Sequence, residues 1–287
     1  MKQLLILSGK GGTGKTTVAS AFIELANAKA FADCDVDAPN LHLLMSQDTK
    51  SVKKDFYGMD KANIDQDKCS SCGICFEHCR FDAILQEEGR FIVDDFACEG
   101  CALCYEICPE KAITMVPCVI GDLEFYKDDK VFSSAKLRMG NGNSGLLVSE
   151  VKKQMKENKI DQTKLAIIDG SPGIGCPVIA SLSGVDLVLI VTEPSLSGMS
   201  DLKRIVQTSK KLQAKPVICI NKYDTNEEIT ERIKVYCQEE ELAFVGLIPY
   251  DMHVIQAVNQ GKNIVEIDCK ASAAIKEVFE NTIKHIF

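Results

Sequence analysis

The chain has 287 residues, 46% of them hydrophobic, enough for one large core plus a small insert. Its net charge of −8 argues against nucleic acid as the main partner, because binding a phosphate backbone needs a basic face. Apolar runs such as 187–191 are far shorter than the roughly 20 residues that span a bilayer, so no membrane span is expected.

In chain order, LLIL (4–7) is a four-residue apolar run that gives way at once to polar residues and glycine. It reads as a core strand and not as a signal peptide, which implies a cytoplasmic protein. A glycine-rich loop follows, and then TTVASAFIELANA (16–28) places Val18, Phe22, Ile23 and Leu25 roughly on one helical face. KAFADCD (29–35) reads as a second short strand ending in acids. Between about 60 and 112 the pattern breaks into two similar cysteine-rich halves, CSSCGICFEHCRFDAI (69–84) and CEGCALCYEICPEKAI (98–113), offset by 29 residues. The stretch 121–145, with its DDK and GNGNSG, reads as an irregular return linker.

Beyond it, 165–169, 186–192, 216–221 and 244–249 are nearly all apolar, as strands buried on both faces of a parallel sheet must be. Helical stretches at 198–213 and 226–241 alternate with them, and AAIKEVFENTIKHIF, at the end of the chain, reads as a helix packed on the sheet. The expected fold is α/β: a doubly wound, mostly parallel sheet with a small α+β insert. The domain reading is 1–59 and 113–287 for the two parts of the α/β domain, and 60–112 for the insert.

Gly9-Lys10-Gly11-Gly12-Thr13-Gly14-Lys15-Thr16 satisfies the phosphate-loop pattern G-x4-G-K-S/T between a strand and a helix. Backbone N–H groups there point at phosphate oxygens. Lys15 is expected on the β- and γ-phosphates and Thr16 on magnesium, with Thr17 beside it, so ATP and Mg2+ are the expected cofactors.

The extra lysine in KGGTGKTT makes the loop resemble that of the MinD, ParA, Mrp and nitrogenase iron-protein group. The resemblance covers roughly 1–59 and 113–287, and it implies a homodimer sandwiching ATP, or a heterodimer with a close paralogue. Lys10 would then reach the partner's nucleotide. DCDVDAPN (33–40) resembles the family's first switch, where Asp35 orients the attacking water and Asp37 either assists or caps the next helix. LAIIDGSPG (165–173) resembles the second, with Asp169 holding a magnesium-bound water and Gly173 sensing the γ-phosphate. Asn221 resembles the adenine contact, and Pro249 the residue packed beside the base. The catalytic set is thus Lys10, Lys15, Asp35 and Asp169.

The two cysteine runs resemble a complete two-cluster 4Fe–4S ferredoxin domain. In that pattern the fourth cysteine of each run ligates the other cluster. The resemblance assigns Cys69, Cys72, Cys75 and Cys108 to one cluster, and Cys79, Cys98, Cys101 and Cys104 to the other. The first run ends in Cys79-Arg80 where the second has Cys108-Pro109. Zinc is the competing metal. Cys176, just after the second switch, sits at an offset similar to that of the bridging-cluster cysteine of the nitrogenase iron protein, and Cys118 is its candidate companion; the alternative is that both are redox-inert. Cys219 and Cys237 read as core fillers.

The leading functional expectation is an ATPase that couples nucleotide state to electron transfer, or to metallocluster assembly, on an unidentified redox or cluster-accepting protein. The alternatives are an iron–sulfur carrier of the Mrp type and a MinD/ParA-like positioning ATPase with a redox-sensing domain.

Overall fold

The computed structural model describes residues 1–45 and 50–287. In chain order the strands and helices are β1 (Lys2–Leu7), α1 (Lys15–Leu25), β2 (Ala30–Asp33), β3 (Val52–Tyr57), β4 (Lys61–Ile64), α2 (Ile74–His78), β5 (Ile84–Glu87), β6 (Arg90–Val93), α3 (Leu103–Ile107) and β7 (Ile113–Val116). They continue with β8 (Val119–Lys127), β9 (Val131–Leu137), α4 (Ser144–Glu157), β10 (Leu165–Asp169), α5 (Cys176–Leu182), β11 (Leu187–Thr192) and α6 (Leu196–Lys211). The last are β12 (Lys215–Asn221), α7 (Glu227–Glu239), β13 (Ala243–Ile248), α8 (Met252–Asn259) and α9 (Lys270–Ile283).

Two units divide these elements: 1–53, 123–136 and 144–287 form the first, and 54–122 with 137–143 the second. The main sheet has the order β13-β12-β11-β1-β10-β2-β9-β8-β3, and the pairs from β13 to β9 are parallel. β1 shows why the strands are so apolar. Leu4 and Ile6 join a cluster with Val18 and Phe22 of α1 and Ile275 and Val278 of α9. Leu5 and Leu7, pointing the other way, are just as buried. There α5 packs on β1, α4 on β2 and α6 on β11 and β12, so both faces are covered. α9 lies on β13 with Ala271, Ile275 and Val278 buried, the packed helix that its spacing predicts. No helix among the described residues is long and apolar enough to cross a membrane.

The stretch 121–145 is not an irregular linker. It contains most of β8, all of β9 and the start of α4. The DDK residues form only the tight turn between two strands, where the Lys130 N–H donates to Asp128 Oδ1 at 2.8 Å. The second unit also extends past the cysteine-rich span 60–112 at both ends.

Within the second unit β4 pairs with β7 and β5 with β6, both antiparallel. The two halves repeat each other residue by residue. Left-handed backbone occurs at Ser71 and Gly100, at Gly73 and Ala102, and at Asp82 and Lys111, each pair 29 residues apart. The core is small: Ala62, Ile64, Ile84, Phe91 and Ile113, with six of the cysteines packed against it.

Candidate functional site

In the first unit the loop after each of six parallel strands carries a residue singled out above or one that contacts it. The glycine loop follows β1, the first switch follows β2, and the 170–175 loop follows β10. Glu193 follows β11, Asn221 ends β12 and Pro249 follows β13. Carboxyl ends of parallel strands are where open α/β sheets bind ligands.

Gly14, at φ 88, turns the chain into α1 and leaves the first N–H groups of that helix free to meet an anion. A Cβ on Gly14 would collide with the Asn221 side chain, so a side chain cannot be added there without moving Asn221. Gly9 is closed in the same way by Asp201, whereas Gly11, Gly12 and Gly173 face open space. Asn221 Nδ2 donates to the Thr13 carbonyl at 2.7 Å, and Lys222 Nζ donates to the Gly12 carbonyl at 2.8 Å. Asn221 therefore braces the loop in this form. Pro249 is half-buried at the end of β13.

Lys15 is buried and meets Asp169 Oδ1 at 2.6 Å, Asp35 Oδ2 at 3.8 Å and Thr16 Oγ1 at 3.3 Å. Burial opposes its charge, but Asp169 and Asp35 outweigh the burial and hold its pKa above the ordinary lysine value. Burial, with Asp169 adding to it, pushes Asp33 up to about 7 and Asp35 up to about 6. Asp37 is exposed. The 170–175 loop is tied to the strand before the glycine loop: the Gly170 N–H donates to Ile6 and the Gly173 N–H to Ser8.

Lys10 is held within its own chain by Glu193 Oε1 at 2.5 Å, with Ser195 and Ser197 hydroxyls at 3.2 Å. Sequence reasoning missed Glu193, Lys222 and Asp33. Asp33 takes the N–H groups of Asp35, Asn40 and Leu41, each at 3.0 Å, and so shapes the 33–41 segment. The DCD triplet contains that signal, since a short acidic side chain after a strand commonly folds the next turn around itself.

The fit to magnesium is testable on one atom. Asp169 Oδ2 is fully buried with no hydrogen-bond partner, and so is Thr13 Oγ1. A buried carboxylate oxygen without a donor is costly, and a hydrated cation beside Thr16 would satisfy it.

In the second unit the eight cysteines divide four and four. One cavity is lined by Cys69, Cys72, Cys75 and Cys108, the other by Cys79, Cys98, Cys101 and Cys104. The second encloses about 270 Å³ and also meets His78, Arg80 and Glu99. Each run enters its short helix through a left-handed residue between the second and third cysteines, Gly73 or Ala102. At Ala102 that backbone is strained, a cost that functional sites tolerate. Amide N–H groups also aim at the fourth sulfurs, from Ala83 to Cys79 Sγ at 3.4 Å and from Ala112 to Cys108 Sγ at 3.3 Å.

All fourteen cysteines are free thiols. Burial, aided by the neighbouring thiols, pushes Cys104 up to about 11, so without a metal this cysteine is held as the neutral thiol. A tetrahedral zinc site, with Zn–S near 2.3 Å, keeps its sulfurs about 4 Å apart. Among the described residues no three of these sulfurs lie within 4.8 Å of one another. The sulfurs are spread wider than one zinc ion requires; the second cavity has room for a polynuclear iron–sulfur group, while the first, at about 20 Å³, is tighter and would have to open to take one.

Cys176 is exposed at the start of α5, and Cys118 is half-buried in the second unit. Cys219 and Cys237 are buried in the core. Asp251, His253 and Cys269 bring their polar atoms within 4.8 Å of one another. Hydrogen bonds already account for them: Asp251 takes the N–H groups of His253 and Ala271, and Cys269 Sγ takes that of Ser272. They cap the N-terminal ends of α8 and α9, which disfavour a cation.

Residues 4–264 match the CobQ/CobB/MinD/ParA nucleotide binding domain. An uncharacterized protein of Methanocaldococcus jannaschii is 31% identical over 284 residues, covering 97% of this chain and 95% of that protein. An iron-sulfur cluster carrier protein of the same organism is 22% identical over 308 residues, covering 99% of this chain and 84% of its own length. The cell division ATPase MinD of Pyrococcus furiosus shares the fold, with a TM-score of 0.57 at 18% identity over 99% of this chain and 98% of that one. A glycine loop between β1 and α1, acidic segments after β2 and β10 beside it, and a family match over residues 4–264 together make this chain a member of the CobQ/CobB/MinD/ParA nucleotide-binding family.

Proposed function

We propose that the chain binds and hydrolyses ATP and carries two 4Fe–4S clusters, with nucleotide state controlling electron transfer to a partner or metallocluster assembly on it. The observation that carries the reading is the four-and-four grouping of eight cysteines in a chain that also holds a phosphate loop. The clusters would supply one-electron chemistry, held by Cys69, Cys72, Cys75 and Cys108 and by Cys79, Cys98, Cys101 and Cys104.

In the nucleotide unit the loop N–H groups bind phosphate, and Lys15 exchanges Asp169 for the β- and γ-phosphates. Thr16 and Asp169 would hold magnesium, which neutralises phosphate charge. Asp35 orients the attacking water and Gly173 reads the γ-phosphate. Lys10 leaves Glu193 and reaches the nucleotide of a second copy, or of a close paralogue, in an ATP-sandwich dimer. Asn221 and Pro249 flank the adenine.

The test is anaerobic purification, iron analysis and electron paramagnetic resonance with and without ATP and magnesium. Eight irons per chain and a nucleotide-dependent cluster signal are expected if both cages hold cubanes. Signals identical in all nucleotide states would sink the coupling. A second reading, an iron–sulfur carrier, is favoured by the full-length likeness to the carrier protein. A carrier gives its iron to an apo-acceptor, whereas an electron-transfer protein keeps its iron and changes oxidation state.

A further inference from the structure

The 29-residue offset of the cysteine runs extends beyond them, so positions in the second unit have mates. β4 begins at Lys61, and β6 begins 29 residues later at Arg90. The two backbones agree but the two cations do not. Arg90 is exposed, whereas Lys61 is only 5% exposed. Its Nζ donates to the Asp95 carbonyl, three residues before Cys98, and to Asn141 Oδ1 at 3.4 Å.

Gly100 and its mate Ser71 show the same contrast. Both have left-handed backbone, at φ 72 and φ 53. Ser71 is exposed, with room for its side chain. Gly100 is buried, and a Cβ there would collide with the Asp60 carbonyl and the Met59 side chain. The Phe96 ring lies against Gly140 closely enough to exclude a Cβ there as well. The loop around Cys98 is therefore held at 95, 96 and 100 by two other stretches of the same unit, 59–61 and 140–141.

The loop before Cys69 is fastened more lightly. Gln66 Nε2 donates to the Phe91 carbonyl at 2.8 Å, and Lys68 pairs with Asp65 of its own turn at 2.9 Å. That ion pair lies at the surface, with the lysine side chain 65% exposed, where water and salt weaken it. A buried ammonium on a carbonyl is a stronger tie, because its charge has no water to turn to. The cavities differ in the same sense. That of Cys69, Cys72, Cys75 and Cys108 has to open to hold a cluster, and the same opening lets one out.

We infer that Lys61 is a positioning residue for the second cysteine run, and that the two cages differ as a result: the cage of Cys79, Cys98, Cys101 and Cys104 retains its cluster, while the cage of Cys69, Cys72, Cys75 and Cys108 is the exchangeable one. The inference deepens the proposed function and rests on its two-cluster reading. On release the cluster passes whole to an acceptor with four thiols. Four iron–thiolate bonds to this chain break and four to the acceptor form. The acceptor's thiol protons go to the sulfurs left behind, and no electron moves.

The test is an anaerobic challenge of the iron-loaded protein with an iron chelator. Native mass spectrometry counts the iron, and alkylation with peptide mapping locates the freed thiols. In the wild type, iron is expected to leave in two phases, with Cys69, Cys72, Cys75 and Cys108 labelled in the first. Lys61→Met is expected to speed the second phase on the order of tenfold, the size of one lost charge-assisted hydrogen bond, with the first phase unchanged. Arg90→Met, at the mate position, is expected to change neither phase. The wild-type order is read on the unaltered protein, so it decides the question even if Lys61→Met fails to fold. Loss from both cages at one rate, or from the Cys98 cage first, overturns the inference and leaves the two clusters standing. A second phase that Lys61→Met does not speed overturns the role of Lys61. Protein purified anaerobically without iron overturns the two-cluster reading itself.

Discussion

The two units are held together by different physics. The nucleotide unit has strands buried on both faces and large apolar side chains such as Phe22, Phe31 and Phe132 fully enclosed. The cysteine unit's core is a cluster of five hydrophobic residues, small to medium apart from Phe91, with Ala83, Ala112 and Ile120 buried besides, and six cysteines fill the space around the cluster. Charge divides just as unevenly. The cysteine unit carries 14 acidic and 7 basic side chains, so a net −7 of the chain's −8 resides there. A fold with little apolar area and strong self-repulsion needs a staple, and the proposed cluster ligation would supply one. The nucleotide unit needs none, and its unusual features are buried charges and a buried carboxylate oxygen, Asp169 Oδ2, without a hydrogen-bond partner.

Stripping iron anaerobically with a chelator breaks this comparison most directly. The cysteine unit is expected to unfold, with rapid amide exchange and proteolytic cleavage across 60–112, while the nucleotide unit keeps its protection. A cysteine unit that stays protected without iron would show that its small core suffices. Next come single cage variants. Cys79→Ser and Cys108→Ser should each remove about half of the iron, since each leaves one four-cysteine cage complete. Cys79→Ser should match Cys98→Ser in its residual paramagnetic signal and differ from Cys69→Ser. The reverse would mean that each run binds its own cluster.

Lys10→Ala sharpens the separation from the other side. Hydrolysis should fall on the order of 10²–10³-fold, the usual loss for one donor to developing charge, with nucleotide binding and iron content largely kept. Full turnover would remove the cross-dimer role.

The smallest effect is on pH. Asp33 and Asp35 have pKa values raised from the ordinary 3.8, to about 7 and about 6. A carboxyl raised in this way binds its proton more tightly folded than unfolded. The stabilising contribution of these two protonated acids to the nucleotide-free form should therefore be complete below about pH 4 and be lost as pH rises from there through 6 and 7, a decline of several kcal/mol in order of magnitude at about 1.4 kcal/mol per pK unit. Thermal melts of the iron-loaded protein between pH 5 and 8 would show it. Melting temperatures that rise over that range would mean that Lys15 and the backbone N–H groups around Asp33 already keep both acids ionised.

Much of this molecule is legible locally. The glycine loop, the apolar strands and the doubled cysteine runs each announce themselves within a dozen residues, because phosphate binding, sheet burial and thiol cages all demand particular residues at short spacing. β8 and β9 were illegible for the opposite reason. VFSSAKL breaks its apolar residues with two serines and a lysine, and it is a strand because its register against β2 buries Val131, Phe132 and Ser133. Asp33, a residue of the DCD triplet, gained its meaning only when its carboxylate met Asn40 and Leu41.

Sequence alone determined the chemistry available here: a loop for phosphate, acids after two strands and eight thiols in two runs. Only the tertiary structure decided how those parts are supported and connected. Lys10 meets Glu193 across 183 positions, Lys15 meets Asp169 across 154, and Lys152 reaches the end of α5 across about 30. Spacing along a chain reports helical and strand neighbours, but the partner of a buried charge depends on which distant backbone the sheet and its helices bring within hydrogen-bonding range.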